Sequence, residues 1–170
     1  ETKRPTHTNA QITAEAIRSA GFTSVPEVLR SLSQNSGSVQ GQQNTTGAQS
    51  TPGAQAVDLR GLGPNHTLVL INGRRIADFP LPLNGRSNFT DIGNIPLGMI
   101  DRIEVLTGSA SAVYGSDAMA GVINFILKDS ADGTTLDYRF GGTSEGGGKS
   151  FNLTLTSGFD RGAFSGIVGI

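Results

Sequence analysis

The sequence contains no cysteine, which excludes disulfides, thiolate metal sites and cysteine nucleophiles together. Charge is also scarce: 16% of the 170 residues are Asp, Glu, Lys or Arg, against roughly 25% in a typical soluble domain. A formal net charge of −1 supplies no field to attract nucleic acid or anionic lipid. Long apolar runs are missing as well. The densest, Val122 to Leu127, is interrupted by Asn124 and falls far short of the roughly 18 residues of a membrane helix. If the chain meets a membrane through its own fold, it does so with strands. The opening Glu1-Thr2-Lys3-Arg4-Pro5 leads into no apolar signal core, so any signal peptide is expected to be gone already. The two histidines, His7 and His66, are too few and too far apart for a metal motif, and no metal or cofactor is expected.

Two motif matches fail on context. Gly142-Thr143-Ser144-Glu145-Gly146 fits the nucleophile-elbow pattern, but a strand-like segment follows where a helix is needed, and both histidines come earlier in the chain. Gly148-Lys149-Ser150 ends like a phosphate-binding loop, but Thr143 stands where the first glycine belongs and no helix follows. Gly61-Leu62-Gly63 lacks the third glycine of a dinucleotide fingerprint. With no coherent catalytic set, the chain is not expected to be an enzyme.

Glycine is abundant, 24 of 170, and hydrophobic residues make up 36% in periodic runs, so the chain can bury surface and fold. Residues 1–11 are polar and aperiodic and read as a flexible arm. Thr13 can cap a helix over Ala14–Ala20, stopped by Gly21. Ser24-Val25-Pro26-Glu27 has capping-box spacing, followed by Val28, Leu29 and Leu32 on one helical face. From Gln34 to Ala56 the composition turns to Gln, Asn, Ser, Thr and Gly, either an interdomain linker or a loop presented for binding; its ordered flanks favour the loop. Strands are predicted near 56–60, 67–72, 101–107 and 121–128, with a turn at Asn72-Gly73, a long loop over 76–94, a helical turn over 95–100 and a short helix over 109–114. These interleaved elements predict a small α+β domain over 12–130. In 131–170, Leu136, Tyr138 and Phe140, then Phe151, Leu153 and Leu155, then Phe164 and Val168, alternate with polar or small residues. Such segments carry the weak signature of a transmembrane β-barrel, and on pattern alone an ordinary antiparallel sheet of a soluble domain is favoured over it.

Two segments resemble TonB-dependent receptors: Val57-Asp58-Leu59-Arg60-Gly61 through Thr67-Leu68-Val69-Leu70-Ile71-Asn72-Gly73-Arg74-Arg75, and Ile95-Pro96-Leu97 through Arg102-Ile103-Glu104-Val105-Leu106-Thr107-Gly108-Ser109 to Gly121-Val122-Ile123-Asn124-Phe125-Ile126. The resemblance implies a small mixed-sheet plug domain with short helices, then the first antiparallel strands of an incomplete β-barrel. It also implies location in the outer membrane, a scarce or bulky solute (siderophore, carbohydrate or other), and plug movement driven by TonB through an N-terminal segment. No TonB box is recognisable in residues 1–11. Arg60 matches a family arginine that pairs with the barrel wall, and Glu104 is placed with it at the plug–barrel contact. Thr107-Gly108-Ser109 stands where the family often has Arg-Gly-Pro. By the same resemblance, the loops 40–55, 62–66 and 74–90 face the solute, with Asn65, His66, Arg74, Arg75, Asp78, Phe79, Asn84 and Arg86 as candidate contacts. The unclosed strands are expected to self-associate by strand pairing. A soluble periplasmic module that borrowed a plug-like domain is the alternative.

Overall fold

A computed structural model describes residues 10–33, 35, 54–83, 87–107, 110–129, 133–142, 149–161 and 164–169. The N-terminal arm as far as residue 9, most of the 34–56 segment, Asn84, Arg86 and residues 143–148, which hold most of the nucleophile-elbow match and the start of the phosphate-loop match, lie outside these residues.

The apolar runs form the centre of a five-stranded mixed sheet. Strands β2 (Thr67–Ile71) and β5 (Gly121–Leu127) pair in parallel, Thr67 beside Gly121 and Ile71 beside Phe125. Both are buried on two faces, which is why they read as near-continuous hydrophobic sequence. Strand β4 (Ile100–Leu106) lies antiparallel to β5, and β1 (Ala10–Thr13) antiparallel to β4, so the order is β1-β4-β5-β2-β3. Strand β3 (Arg74–Arg75) returns from β2 through Asn72-Gly73, with φ of 49° and 76°. Positive φ at both central residues gives the hairpin turn that matches strand twist, which explains the Asn-Gly pair.

Helix α1 (Ala14–Ser19) starts where the sequence places it: Thr13 Oγ1 accepts from Ala16 N at 3.3 Å, and Gly21 adopts φ 74°. Helix α2 (Val25–Arg30) differs in one detail. Ser24 makes no side-chain cap, and Glu27 Oε2 instead accepts from Thr23 N and Thr23 Oγ1, both at 2.7 Å. The carboxylate thus ties down the residue before the cap. Ile17, Val25, Val28 and Leu29 bury one sheet face together with Val69, Ile103, Val105, Ile123 and Phe125. The other face is covered at one end by α3 (Ser111–Tyr114) and the following 3-10 turn, through Ala110, Ala118, Leu68, Leu70 and Val122.

Two expectations need correction. Ala10 and Gln11, placed in the arm, pair with Val105 and Glu104 as the start of β1. Their polar alternation hides an edge strand that needs only one buried face. Residues 56–60 are not a strand: 56–58 are irregular and Leu59–Gly61 is a 3-10 turn. Ala56, Val57 and Leu59 are buried, but the chain reverses at Arg60 and Gly61, with φ of 62° and 67°. The Leu59 amide is satisfied by Thr67 Oγ1 at 3.0 Å instead of a neighbouring strand. Leu59 also needs Gly121, where a Cβ would stand 2.9 Å from Leu59 Cδ1 and 2.6 Å from Leu106 O.

Strands β6 (Gly133–Gly142), β7 (Lys149–Arg161) and β8 (Phe164–Gly169) form a separate antiparallel meander. Leu136, Tyr138 and Phe140 stand opposite Leu155, Leu153 and Phe151 on one face, which Phe159 and Val168 extend. These eight side chains are 41–64% exposed. Thr154 and Thr156 point the other way, toward the 3-10 turn Leu97–Met99 of the first domain, and Thr156 is buried. The meander is therefore inverted relative to a soluble sheet: its threonine face packs on the neighbouring domain and its aromatic face is bare.

Thr67→Val should cost about 1–3 kcal/mol, because it strands the buried Leu59 amide while keeping the side-chain shape. Urea unfolding checks this; an unchanged midpoint would mean that the amide finds another partner.

Candidate functional site

The start of β2 sits at the foot of a cleft of about 420 Å³. The 3-10 turn Pro64–His66 forms one wall; Arg75, Ile76, Asp78 and Asn88 to Thr90 form a second; Ser116 and Asp117 close the third. Two of the expected solute-facing loops, 62–66 and 74–90, thus meet at one place. Asn65, His66, Arg75 and Asp78 line the cleft. Arg74 is exposed on the hairpin, one residue out of register with the cleft. Phe79 stacks on Phe89, with centroids 5.3 Å apart, in a small cluster with Ala56 and Leu83, so its ring is spent on packing. Asn84 and Arg86 lie outside the described residues.

Ser116 and Asp117 were not among the expected contacts. They follow Gly115, whose φ of 87° ends α3 and swings the next turn back over β2. Ala120 N donates to His66 O at 2.9 Å, fixing the turn that carries Asp117 against the turn that carries His66.

Charge in the cleft is largely cancelled. Arg75 Nη1 donates to Asp117 Oδ2 at 2.6 Å, and its Nη2 donates to the Tyr114 carbonyl. The Arg75 hydrogen bond holds the Asp117 carboxyl below its ordinary range; partial burial opposes this, and the Ser116 hydroxyl and the nearby charges of Arg75 and His66 add to it. Asp78 is left with a long contact from Thr90 Oγ1 at 3.4 Å. His66 Nε2 lies 3.2 Å from Asn65 Nδ2, while its Nδ1 is buried with no hydrogen-bond partner among the described residues. Among the described residues, no three His, Asp or Glu side chains gather closely enough to hold a metal ion.

The two residues expected at a plug–barrel contact differ in kind. Arg60 is exposed, holds left-handed backbone, and makes no ion pair or hydrogen bond with a described residue. Glu104 is committed within the sheet: Oε1 accepts from Arg102 Nε at 2.9 Å and Oε2 from Asn124 Nδ2 at 3.2 Å. Arg102 also donates to Asp101 at 3.0 Å, and Glu104 first, then Asp101, raise its pKa against the opposing effect of burial. Asn124 Oδ1 accepts from Gly73 N, and Asn72 Oδ1 from Leu127 N, each at 2.9 Å. A polar lattice thus covers the end of the sheet face that α3 leaves open.

A family model for the TonB-dependent receptor plug domain matches residues 2–122. A mutant of the ferric enterobactin receptor PfeA from Pseudomonas aeruginosa, in complex with enterobactin, has a TM-score of 0.64 at 24% identity over 92% of this chain and 23% of that one. The siderophore receptor PirA from Acinetobacter baumannii has 0.58 at 27% identity, covering 88% and 22%. PirA from Pseudomonas aeruginosa has 0.54 at 27%, covering 88% and 24%. The chain spans less than a quarter of the length of these relatives.

Asp117→Asn should destabilise the chain by no more than about 1 kcal/mol, because the pair with Arg75 is half-exposed. A carboxyl with a lowered folded pKa stabilises above its unfolded pKa and loses that contribution in acid. The penalty should therefore be full at neutral pH and fade below about pH 4. Denaturant titrations of both proteins at pH 7 and in acid test this; a penalty that persists in acid would contradict it.

Proposed function

The chain belongs to the TonB-dependent receptor plug domain family, and on that premise we propose that it gates an outer-membrane transporter. In this reading the mixed-sheet domain occludes a barrel that begins with β6–β8. A solute settles in the cleft, and energy delivered through TonB to a segment N-terminal of β1 displaces the plug. The work is binding and movement, with no bond made or broken in the solute.

One observation carries the reading: the inverted meander. A soluble sheet buries its aromatic face, whereas a barrel strand shows apolar side chains to lipid and polar ones to the lumen. Here the apolar face is bare and the threonine face meets the plug. The alternative of a soluble periplasmic module leaves eight large exposed side chains unexplained.

The relatives named above are receptors for siderophores, ferric enterobactin among them. In this cleft Arg75 is already neutralised, and Asn65, Asn88, Thr90, Ser116, His66 and Asp78 remain. Amides, hydroxyls and one loosely held carboxylate suit a hydroxyl-rich, uncharged solute better than a polyanion. Arg60, exposed and unpaired with any described residue, is the side chain offered to acidic groups of the wall, whereas Glu104 is held within the sheet by Arg102 and Asn124.

The test uses the receptor that carries this chain. Leu153→Arg places a charge on the lipid face and should cost about 2–4 kcal/mol near the bilayer midplane. It should lower the yield of membrane-integrated receptor, while Thr135→Arg, on the opposite face, should not. Equal yields would remove the barrel reading. In the same receptor Arg60→Gly keeps the left-handed backbone and deletes the guanidinium; it should raise leakage of small solutes without unfolding the plug.

A further inference from the structure

The contact between the 3-10 turn Leu97–Met99 and the meander is too close to be incidental. A Cβ on Gly98 would stand 2.8 Å from Thr154 Cγ2 and 3.0 Å from Thr156 Oγ1. Real side chains essentially never approach so closely, so at this point the plug presents bare backbone to two wall threonines. One residue on, the Met99 side chain reaches β8: its Cγ and Sδ lie 2.7 Å from where a Cβ on Gly169 would be. Glycine on the plug receives wall side chains, and glycine on the wall receives a plug side chain. Thr156 is also one of only two buried polar residues among those described.

The other side of the turn is clamped from within the plug. Lys128 N donates to Met99 O at 2.9 Å, and Lys128 Nζ donates to Gly98 O at 2.7 Å. Lys128 follows the last residue of β5 and precedes the link into β6. The turn is thus held between the exit of the plug and the first wall strands. Among the described residues, the principal contacts of β7 and β8 with the plug fall on this turn.

We propose that Gly98 and Met99 form a fixed seam between plug and wall, which stays closed while the rest of the plug moves during gating. This rests on the gating reading above. The seam would set the register of the plug against the first strands and confine displacement to the opposite end of the sheet. Gly98 is then a positioning residue, required because any side chain pushes the turn off Thr154 and Thr156.

The absence of cysteine from these 170 residues leaves an introduced pair without local competitors in the receptor that carries this chain. A Met99→Cys, Gly169→Cys pair should oxidise readily in outer membranes, since the two positions are within bridging reach. With the bridge closed, solute uptake should stay within about twofold of the reduced receptor, a change worth under half a kcal/mol. Uptake lost on oxidation and restored by reductant would overturn the fixed seam. Absence of uptake even when reduced would instead count against the transporter reading, so the two failures are distinct. Gly98→Ala should slow formation of the bridge about tenfold, as overpacking a close contact does. Adding Thr154→Ala and Thr156→Ala should restore it by giving the new methyl room. Bridge formation that ignores Gly98→Ala would show that the close approach does not exist.

Discussion

The direction in which the meander faces constrains everything else in this structure. A sheet with Leu136, Tyr138, Phe140, Phe151, Leu153 and Leu155 on one side can lower its free energy in water only by covering that side. The neighbouring domain is close enough to do so and meets the threonine side instead. That arrangement is stable only where the aromatic face is covered by something other than this domain. A bilayer supplies such cover, and a polar lumen gives the threonines their proper neighbour.

On the proposed reading, the properties of the plug follow from enclosure in such a lumen. A removable body must keep its cohesion inside itself and show polar groups to the wall. Phe125, Ile103, Ile123 and Val105 accordingly close a core with α1 and α2 that draws nothing from the meander. Toward the outside, Arg102, Glu104 and Asn124 are linked through Glu104, Asn72 accepts from the Leu127 amide, and together they spread polarity over the open end of the sheet. A lattice saturated internally offers little to an apolar partner, which keeps sliding cheap. The exception is the Gly98–Met99 contact, where backbone rather than polar side chains meets the wall.

Much of the fold was legible because local signals and tertiary demands agreed. Thr13 and Gly21 bracket α1, Asn72-Gly73 makes the hairpin, and the two-sided apolar runs became the parallel centre. The misreadings have physical causes. Val57 and Leu59 alternate as a strand would, but the ladder beside β2 is already taken by β3 and β5, and a threonine hydroxyl replaces the missing partner. Ala10 and Gln11 were read with the polar arm, yet an edge strand needs one apolar face. The cleft was half visible. His66, Asn65, Arg75 and Asp78 sit on loops that the family pattern marks, whereas Ser116 and Asp117 are brought in by a glycine reversal that only the three-dimensional path reveals. Exposure of the meander's aromatic face could not be read from alternation, since both orientations produce the same sequence period.

That orientation is what a single measurement should address. Nitroxide labels placed on cysteines introduced one at a time at positions 151 to 156 of β7, in receptor reconstituted in bilayers, report the environment of each side chain. Oxygen, which concentrates in lipid, should relax the labels at 151, 153 and 155 strongly. At 154 and 156, against the plug, labels should be immobile and shielded from oxygen. Uniform accessibility along the strand, or a reversed alternation, would contradict the account at its base.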